Sequence, residues 1–414
     1  MDSKKAYKYR IYPDNKRQQL MNEQMWLSHT FYNKLLERTI KEYITDKKSK
    51  ISRKVFNGYM KDIIQEDKRF LKIYSQTRQD IRDRLIKAYQ NFFKRVQRRK
   101  KGEKIKVGFP RFRSIDKYKS FAYPQDNGSF HIEKNMLRIS RIGRMKIELH
   151  RQVQGTIKTL TIKKEANQYY AIFTTIQESE IPKVENIKPV GIDVGLTTFA
   201  SFSDGTTIKK PKFAKKNEKR LHHWERIKAR RQKGSKNREK AKLKIQRIWQ
   251  DTTNQNKDFV EKETAKLVNS GYTSFVMEDL EIRNMVKNHR YARSIQEATW
   301  GMFRQILSCK AESAGMKVIP VPYQYTTQTC NKCHNVKKGE DKLILKDRIY
   351  NCDVCGLVMD RDENASINIL NRATAGHAGS NASGDATSTM QQASQVVSLK
   401  QEHTLLIAEE AHML

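Results

Sequence analysis

Two Cys-x-x-Cys pairs separated by eighteen residues, Cys330-Asn-Lys-Cys333 and Cys352-Asp-Val-Cys355, constrain this chain more than any other feature. Four thiolates at that spacing close a tetrahedral zinc site, and a small ribbon must fold around it. With all four positions thiolate, no ligand place is left open, so the expected zinc is structural. Neither pair opens a helix after a thioredoxin-like strand, which argues against a redox pair. The chain has five cysteines, and the fifth, Cys309, lies in a helical pattern where a small buried residue is expected. Cysteines gathered in this way do not make a disulfide framework, and they suit a reducing, cytosolic setting. Directly after the ribbon comes Met359-Asp360-Arg361-Asp362-Glu363-Asn364-Ala365, where Asp360 and Glu363 have the spacing of a capping box that opens a helix.

Charge sets the next bound. The 414 residues carry 82 Lys plus Arg against 45 Asp plus Glu, a formal net charge of +37. An excess of that size calls for a polyanionic partner, and nucleic acid is the expected one. No basic amphipathic helix stands beside an apolar anchor, and no apolar run approaches the roughly 20 residues that span a bilayer. The first ten residues contain no apolar signal core, so secretion is not expected.

Residues 5–12 alternate aromatic or aliphatic with basic residues and stop at Pro13, the pattern of one strand. From Lys16 to about Arg99, apolar residues recur at helical spacing, as in Ile81, Leu85, Tyr89, Phe92 and Phe93. This helical segment ends in a basic run with Arg95, Arg98 and Arg99. Gly108-Phe-Pro-Arg111-Phe112-Arg113 follows, with arginines set between aromatics. Arginines contact phosphates and aromatics stack on bases, although two core phenylalanines pinning a basic loop would give the same string. Residues 118–178 hold short alternating runs separated by turns such as Asp126-Asn-Gly128, which predicts an antiparallel β unit, a small barrel to which the first strand returns. The helices would then be inserted after strand one.

A carboxylate in a buried strand demands a partner or a metal, and three acidic residues raise that question. Asp193 lies in Pro189-Val-Gly191-Ile-Asp193-Val-Gly195, the expected first strand of a three-strand meander that turns at Ser203-Asp-Gly205. Gly191 and Gly195 are expected to let a phosphate backbone come close. Glu278 ends the strand Ser274-Phe-Val-Met-Glu278, and because strand residues alternate faces, Glu278 and Asp279 cannot both join Asp193. Asp362 falls in the first turn of the helix after the ribbon. Three such carboxylates in a basic protein suit two hard divalent ions, Mg²⁺ or Mn²⁺, roughly 3.5–4 Å apart, and hydrolysis of phosphodiesters. Between the first two carboxylates, residues 212–268 are expected to form two basic helices, with Arg226, Arg230 and Arg231 before a break at Gly234-Ser-Lys-Asn237. Ser294 is expected to cap a helix running through Trp300 towards Gly315.

In this order, Gly-Ile-Asp193-Val-Gly, Met-Glu278-Asp-Leu, the paired cysteines and Asp360-Arg-Asp362-Glu-Asn-Ala resemble the TnpB proteins of bacterial and archaeal insertion sequences, relatives of the type V CRISPR effector nucleases. The likeness extends to Tyr9-Arg10-Ile-Tyr-Pro13, Gly108-Phe-Pro-Arg-Phe112 and Thr327-Gln328, and covers roughly residues 5–372. It implies a mixed α and β, multidomain protein. Its parts would be an antiparallel β-barrel wedge domain (1–13 and 104–182), a helical recognition domain (14–103), an RNase H-like RuvC nuclease domain (183–320 and 359–372) and the zinc ribbon (321–358). Residues 373–414, rich in Ser, Ala, Gly and Gln, would be a disordered tail. The activity implied is that of an RNA-guided DNA endonuclease. Its guide RNA would come from the transposon end, and its double-stranded target DNA would be chosen by pairing beside a short flanking motif. The family's metal ligands and catalytic residues fall on Asp193, Glu278 and Asp362, and zinc on Cys330, Cys333, Cys352 and Cys355. Nucleic-acid contact is expected from Arg10, Arg95, Arg98, Arg99, Arg111, Arg113, Arg226, Arg230 and Arg231. The expected protein is monomeric on its RNA and cytoplasmic in a prokaryotic cell. A compact CRISPR-associated effector, a non-cleaving guided binder and a strand-transferring transposase remain alternatives.

Overall fold

The computed structural model describes residues 2–45, 51–178, 188–289, 292–344 and 346–378. They divide into two compact units, residues 1–180 and 181–414.

In the first unit, strand β1 (Asp2–Tyr12) leads into helix α1 (Asn15–Thr45), then α2 (Arg53–Glu66), a 3₁₀ turn (Lys68–Lys72) and α3 (Ser75–Lys100). Six strands follow: β2 (Ser120–Tyr123), β3 (Phe130–Glu133), β4 (Met136–Ile139), β5 (Gly143–Glu148), β6 (Thr156–Glu165) and β7 (Gln168–Glu178). All seven strands form one antiparallel sheet in the order β2-β6-β7-β1-β5-β4-β3. The first strand does return: it pairs with β7 from Asp2↔Glu178 to Ile11↔Tyr169 and with β5 at Arg10↔Glu148. The barrel expected from the strand pattern is a curled sheet, since no ladder joins its end strands β2 and β3 among the described residues. Alternate residues Tyr9, Ile11, Leu137, Ile147, Leu160, Ile162, Ala171 and Phe173 fill its concave core. Helix α1 gives Met21 and Met25 to that core and, further along, Phe31, Leu35 and Leu36 to a second one shared with Phe56, Met60 and Ile63 of α2 and Ile81, Leu85 and Tyr89 of α3. Spacings of three and four residues put each set on one helix face.

The second unit contains β8 (Pro189–Asp193), β9 (Thr198–Phe202), β10 (Thr207–Lys209), α4 (Phe213–Arg230), α5 (Lys236–Val268) and β11 (Ser274–Glu278). It continues through α6 (Ile282–Met285), α7 (Ala292–Ala298), α8 (Trp300–Ser313), β12 (Lys317–Val321), a 3₁₀ turn (Gly339–Asp341), β13 (Ile349–Asn351), β14 (Val358–Asp360) and α9 (Arg361–Ala378). The sheet order is β10-β9-β8-β11-β12: the meander β8-β9-β10 is antiparallel, while β8, β11 and β12 run parallel. Val190, Ile192, Phe275 and Met277 face Val260 of α5 and Phe303 and Leu307 of α8. The other face carries α9, through Val276, Val321 and Ile369.

Four expectations are corrected here. Gly191 does not hold open a path for phosphate: a Cβ there would lie 2.0 Å from the Ser366 carbonyl oxygen and 2.9 Å from the Leu370 nitrogen, so its missing side chain seats α9 on β8. Ser294 lies inside α7, and the helix breaks at Thr299, whose φ of 56° is left-handed, before α8 restarts. Cys309 is exposed, because the buried face of α8 is Phe303, Leu307 and Ala311 and position 309 is half a turn away. Helix α9 continues through Ala378, with Ala373 packed on the core of that face, so the expected tail does not begin at 373. Its remainder, 379–414, lies outside the described residues.

Candidate active site and zinc ribbon

Parallel pairing of β8 and β11 sets Met277 opposite Ile192, so Asp193 and Glu278 are the next positions on neighbouring strands. Both side chains point to the α9 face, since Gly191 and Val276 two residues earlier do. Asp279 goes to the other side, where it pairs with Arg304 at 2.7 Å. Asp360 ends β14, and its carboxylate accepts from the backbone N–H groups of Asp362 and Glu363, at 2.8 and 3.1 Å, which starts α9. Asp362 is thereby delivered in the first helical turn to the same edge of the sheet. Asp193 and Asp362 are each 8% exposed.

The electrostatics of this corner are those of a crowded anionic site. Burial holds the Asp193 carboxyl well above the usual range, and the nearby Glu278 and Asp362 push it further, against Arg361 and the Val194 N–H. Burial also raises Glu278, opposed by the Thr326 hydroxyl and by Arg372. Thr326 donates to Glu278 Oε1 at 2.5 Å. Asp362 is gripped by Arg361, with Nε and Nη2 at 3.0 and 2.8 Å from Oδ1, and Arg348 Nη1 lies 3.7 Å from Oδ2. Carboxylate oxygens alone, buried and mutually repelling, are the donor set that a hard divalent cation neutralises. The site residues therefore fit such an ion.

In the ribbon, the four cysteine sulfurs lie within 4.8 Å of one another, and among the described residues this is the one His/Cys/Asp/Glu group so closed. Cys330 and Cys355 are 3.6 Å apart and Cys333 and Cys352 3.5 Å. Thiolates at ~2.3 Å around tetrahedral zinc stand about 3.8 Å apart, so the set fits zinc. The N–H groups of Cys355 and Val354 lower the pKa of the Cys352 thiol. Among the described residues, the ribbon's apolar cluster fully encloses just Cys330, Cys352 and Tyr350, a core too small to fold without a cross-link.

The nine arginines expected at nucleic acid divide by environment. Arg95, Arg99, Arg111, Arg226, Arg230 and Arg231 are exposed, with no ion pair among the described residues. Arg98 is already engaged by Glu103 through a forked pair. Arg10 is half-buried between the rings of Tyr12 and Tyr170, 5.3 and 5.4 Å from their centres. Arg113 anchors its loop through its backbone, whose carbonyl accepts from His29 and Asn33 on α1. Phe109 packs on Tyr89 and Phe92, whereas Phe112 is 57% exposed. The loop is thus pinned by one phenylalanine and presents the other. Residues 212–268 form the two expected helices, joined side by side by Asn217 donating to Thr252 at 2.9 Å.

Sequence reasoning did not find Thr326, Arg348, Arg361 or Arg372. Arg361 could have been suspected from its place between Asp360 and Asp362. The others reach the site only through tertiary folding.

Residues 171–289 match the OrfB IS605 family, described as "Probable transposase", and residues 300–369 match "Cas12f1-like, TNB domain". A "Helix-turn-helix domain" family matches residues 1–48, of which the described residues 2–45 hold strand β1 and the single helix α1. The chain is 30% identical over 316 residues to "Putative RNA-guided DNA endonuclease InsQ" of Escherichia coli K12, covering 72% of this chain and 74% of that one. It is 29% identical over 380 residues to a "Putative RNA-guided DNA endonuclease" of Streptomyces pristinaespiralis, covering 89% of each. A solved structure titled "Cryo-EM structure of the Cas12f1-sgRNA-target DNA complex" superposes with a TM-score of 0.56 at 12% identity, over 90% of this chain and 99% of that one. The fold is therefore that of a mixed α/β, multidomain Cas12f-like protein. The chain belongs to the TnpB family of insertion-sequence proteins.

Proposed function

We propose that the protein is an RNA-guided DNA endonuclease that hydrolyses phosphodiesters at Asp193, Glu278 and Asp362. The observation that carries this reading is the delivery of three acidic residues to one buried corner by two parallel strands and a helix start. The names of the two relatives and the excess of 37 positive charges support it. Strands β8–β12 with α9 would form the RuvC-type nuclease domain, the curled sheet the wedge domain and α1–α3 the recognition domain. Mg²⁺ or Mn²⁺ held by the three carboxylates would supply activation of water and stabilisation of the leaving oxygen. The protein's own part is to exclude bulk water with the sheet and α9, and to hold Asp193, Glu278 and Asp362 together at the corner where a cation would bind. Arg361 and Arg348 restrain Asp362, and the more exposed Arg348 would be the guanidinium to meet a phosphate. Exposed arginines and Phe112 would contact guide and target through phosphates and stacking.

The test is cleavage of DNA matching the RNA that purifies with the protein. Wild type should cut, and Asp193→Ala should bind the same DNA without cutting. Loss of binding and cleavage together would refute the assigned role. RNA overlapping the end of the protein's own gene would mark a transposon-derived guide, and repeat-spacer RNA a CRISPR effector. Joined-strand products would instead favour a transposase.

A further inference from the structure

We infer that Thr326 is a positioning residue for Glu278, carried on a turn that ties the zinc ribbon to both halves of the carboxylate site. This rests on the proposed role of Glu278 as a metal ligand. Thr326 is 2% exposed, and its hydroxyl lies 2.5 Å from Glu278 Oε1 and 3.1 Å from the Tyr323 carbonyl. One hydroxyl has one proton to give, and the bond to a charged acceptor is the stronger. Donation to Oε1 fixes the last, otherwise broad, torsion of the glutamate side chain.

The turn is itself held. Asn368 donates to the carbonyls of Thr326 and Thr329 at 3.0 and 2.6 Å, and Asn364 donates to Thr329 at 2.8 Å while accepting from the Asn331 N–H at 3.0 Å. Asn364 and Asn368 are buried one helical turn apart on α9, the helix whose first turn bears Asp362. Asn331 lies between Cys330 and Cys333. Further along α9, Arg372 reaches the carbonyls of Pro322 and Gln324, both at 2.5 Å, and faces Glu278 electrostatically. Residues 322–331 therefore touch Glu278, the helix of Asp362 and the first zinc knuckle together. A hydroxyl buried without a bond is costly, so its enclosure beside a carboxylate fits a working contact.

Two readouts on the full-length chain test this: calorimetric titration of Mn²⁺ into the RNA-free protein, with Asp193→Ala defining the heat of the site, and guided cleavage across Mg²⁺ concentrations. Thr326→Val, and Thr326→Ala should Val fail to fold, is expected to weaken Mn²⁺ binding and slow cleavage roughly ten- to hundredfold. Zinc content should stay at the wild-type level, and Thr326→Ser should restore both readouts. Unchanged Mn²⁺ affinity in the hydroxyl-free variants, with only a lower melting temperature, would show a turn cap and overturn the inference. Wild type that binds Mn²⁺ but never cleaves would refute the proposed function, while the Mn²⁺ comparison would still decide the role of Thr326.

Discussion

Adding one methyl group at Gly191 should both destabilise the second unit and separate its acidic residues. A Cβ at that position falls 2.0 Å from the Ser366 carbonyl oxygen, 2.9 Å from the Leu370 nitrogen and 3.0 Å from Leu370 Cβ. Carbon and carbonyl oxygen approach to about 3.3 Å, so α9 must retreat by about 3.3 − 2.0, or roughly 1.3 Å. The atoms in the way are helix backbone, which cannot step aside as a flexible side chain would. Overpacking of this kind costs about 1–3 kcal/mol, and the upper end is expected. Because α9 carries Asp362 and β8 carries Asp193, the same shift widens the site. A misplacement of about 1 Å can lower a rate about a hundredfold. Urea unfolding of Gly191→Ala measures the first effect, and guided cleavage at saturating Mg²⁺ the second. Gly58→Ala is the control: it lies in α2 with nothing within 4 Å of the new Cβ and should stabilise by about 1 kcal/mol, as helix propensity requires. A Gly191→Ala protein with the wild-type urea midpoint and rate would refute the packing argument.

Three more outcomes follow from the same structure. Asp193 and Glu278 have raised pKa values, so the stability they lend is complete below the ordinary carboxylate range and is lost as pH climbs through their raised values. Melting scans without divalent cation should therefore show Asp193→Asn above wild type at neutral pH, with no further rise when Mg²⁺ is added. Cys352→Ser should empty the closed thiolate site, seen as loss of the zinc equivalent in a colorimetric chelator assay, and should abolish cleavage while RNA binding persists. Phe112→Ala should weaken binding of single-stranded nucleic acid by about 1–3 kcal/mol in filter binding without changing the melting point, whereas Phe109→Ala should lower the melting point.

Local signals were legible in the sequence where the chemistry itself is local. Four cysteines at fixed spacing, the turn at Ser203–Gly205 and the alternation of Glu278 with Asp279 each depend on a few neighbouring residues. Helix phase was the harder matter: a helical pattern was visible around Cys309, but its buried face was set by Phe303, Leu307 and Ala311. The left-handed Thr299 gave no warning, since threonine rarely adopts that conformation. Gly191 looked like a glycine for a ligand because the sequence does not reveal that α9, some 170 residues later, lies against it. Thr326, Arg348 and Arg372 could not be picked from many polar residues until the folded chain put them beside Glu278 and Asp362.

The placement of β1 inside the first sheet has a consequence for synthesis. Its partners on β7 are 158 residues away at Ile11↔Tyr169 (169 − 11) and more at Asp2↔Glu178. Strand β1 leaves the ribosome long before β7, the last strand of its sheet, while α1–α3 share a core that is complete by Tyr118. The helices are expected to settle first and to keep α1, and with it β1, near the place where the sheet will close. That anchoring shortens the search that such distant pairing otherwise imposes. Pulse-labelled hydrogen exchange would register it as protection of Leu35 and Leu85 before Tyr9 and Phe173.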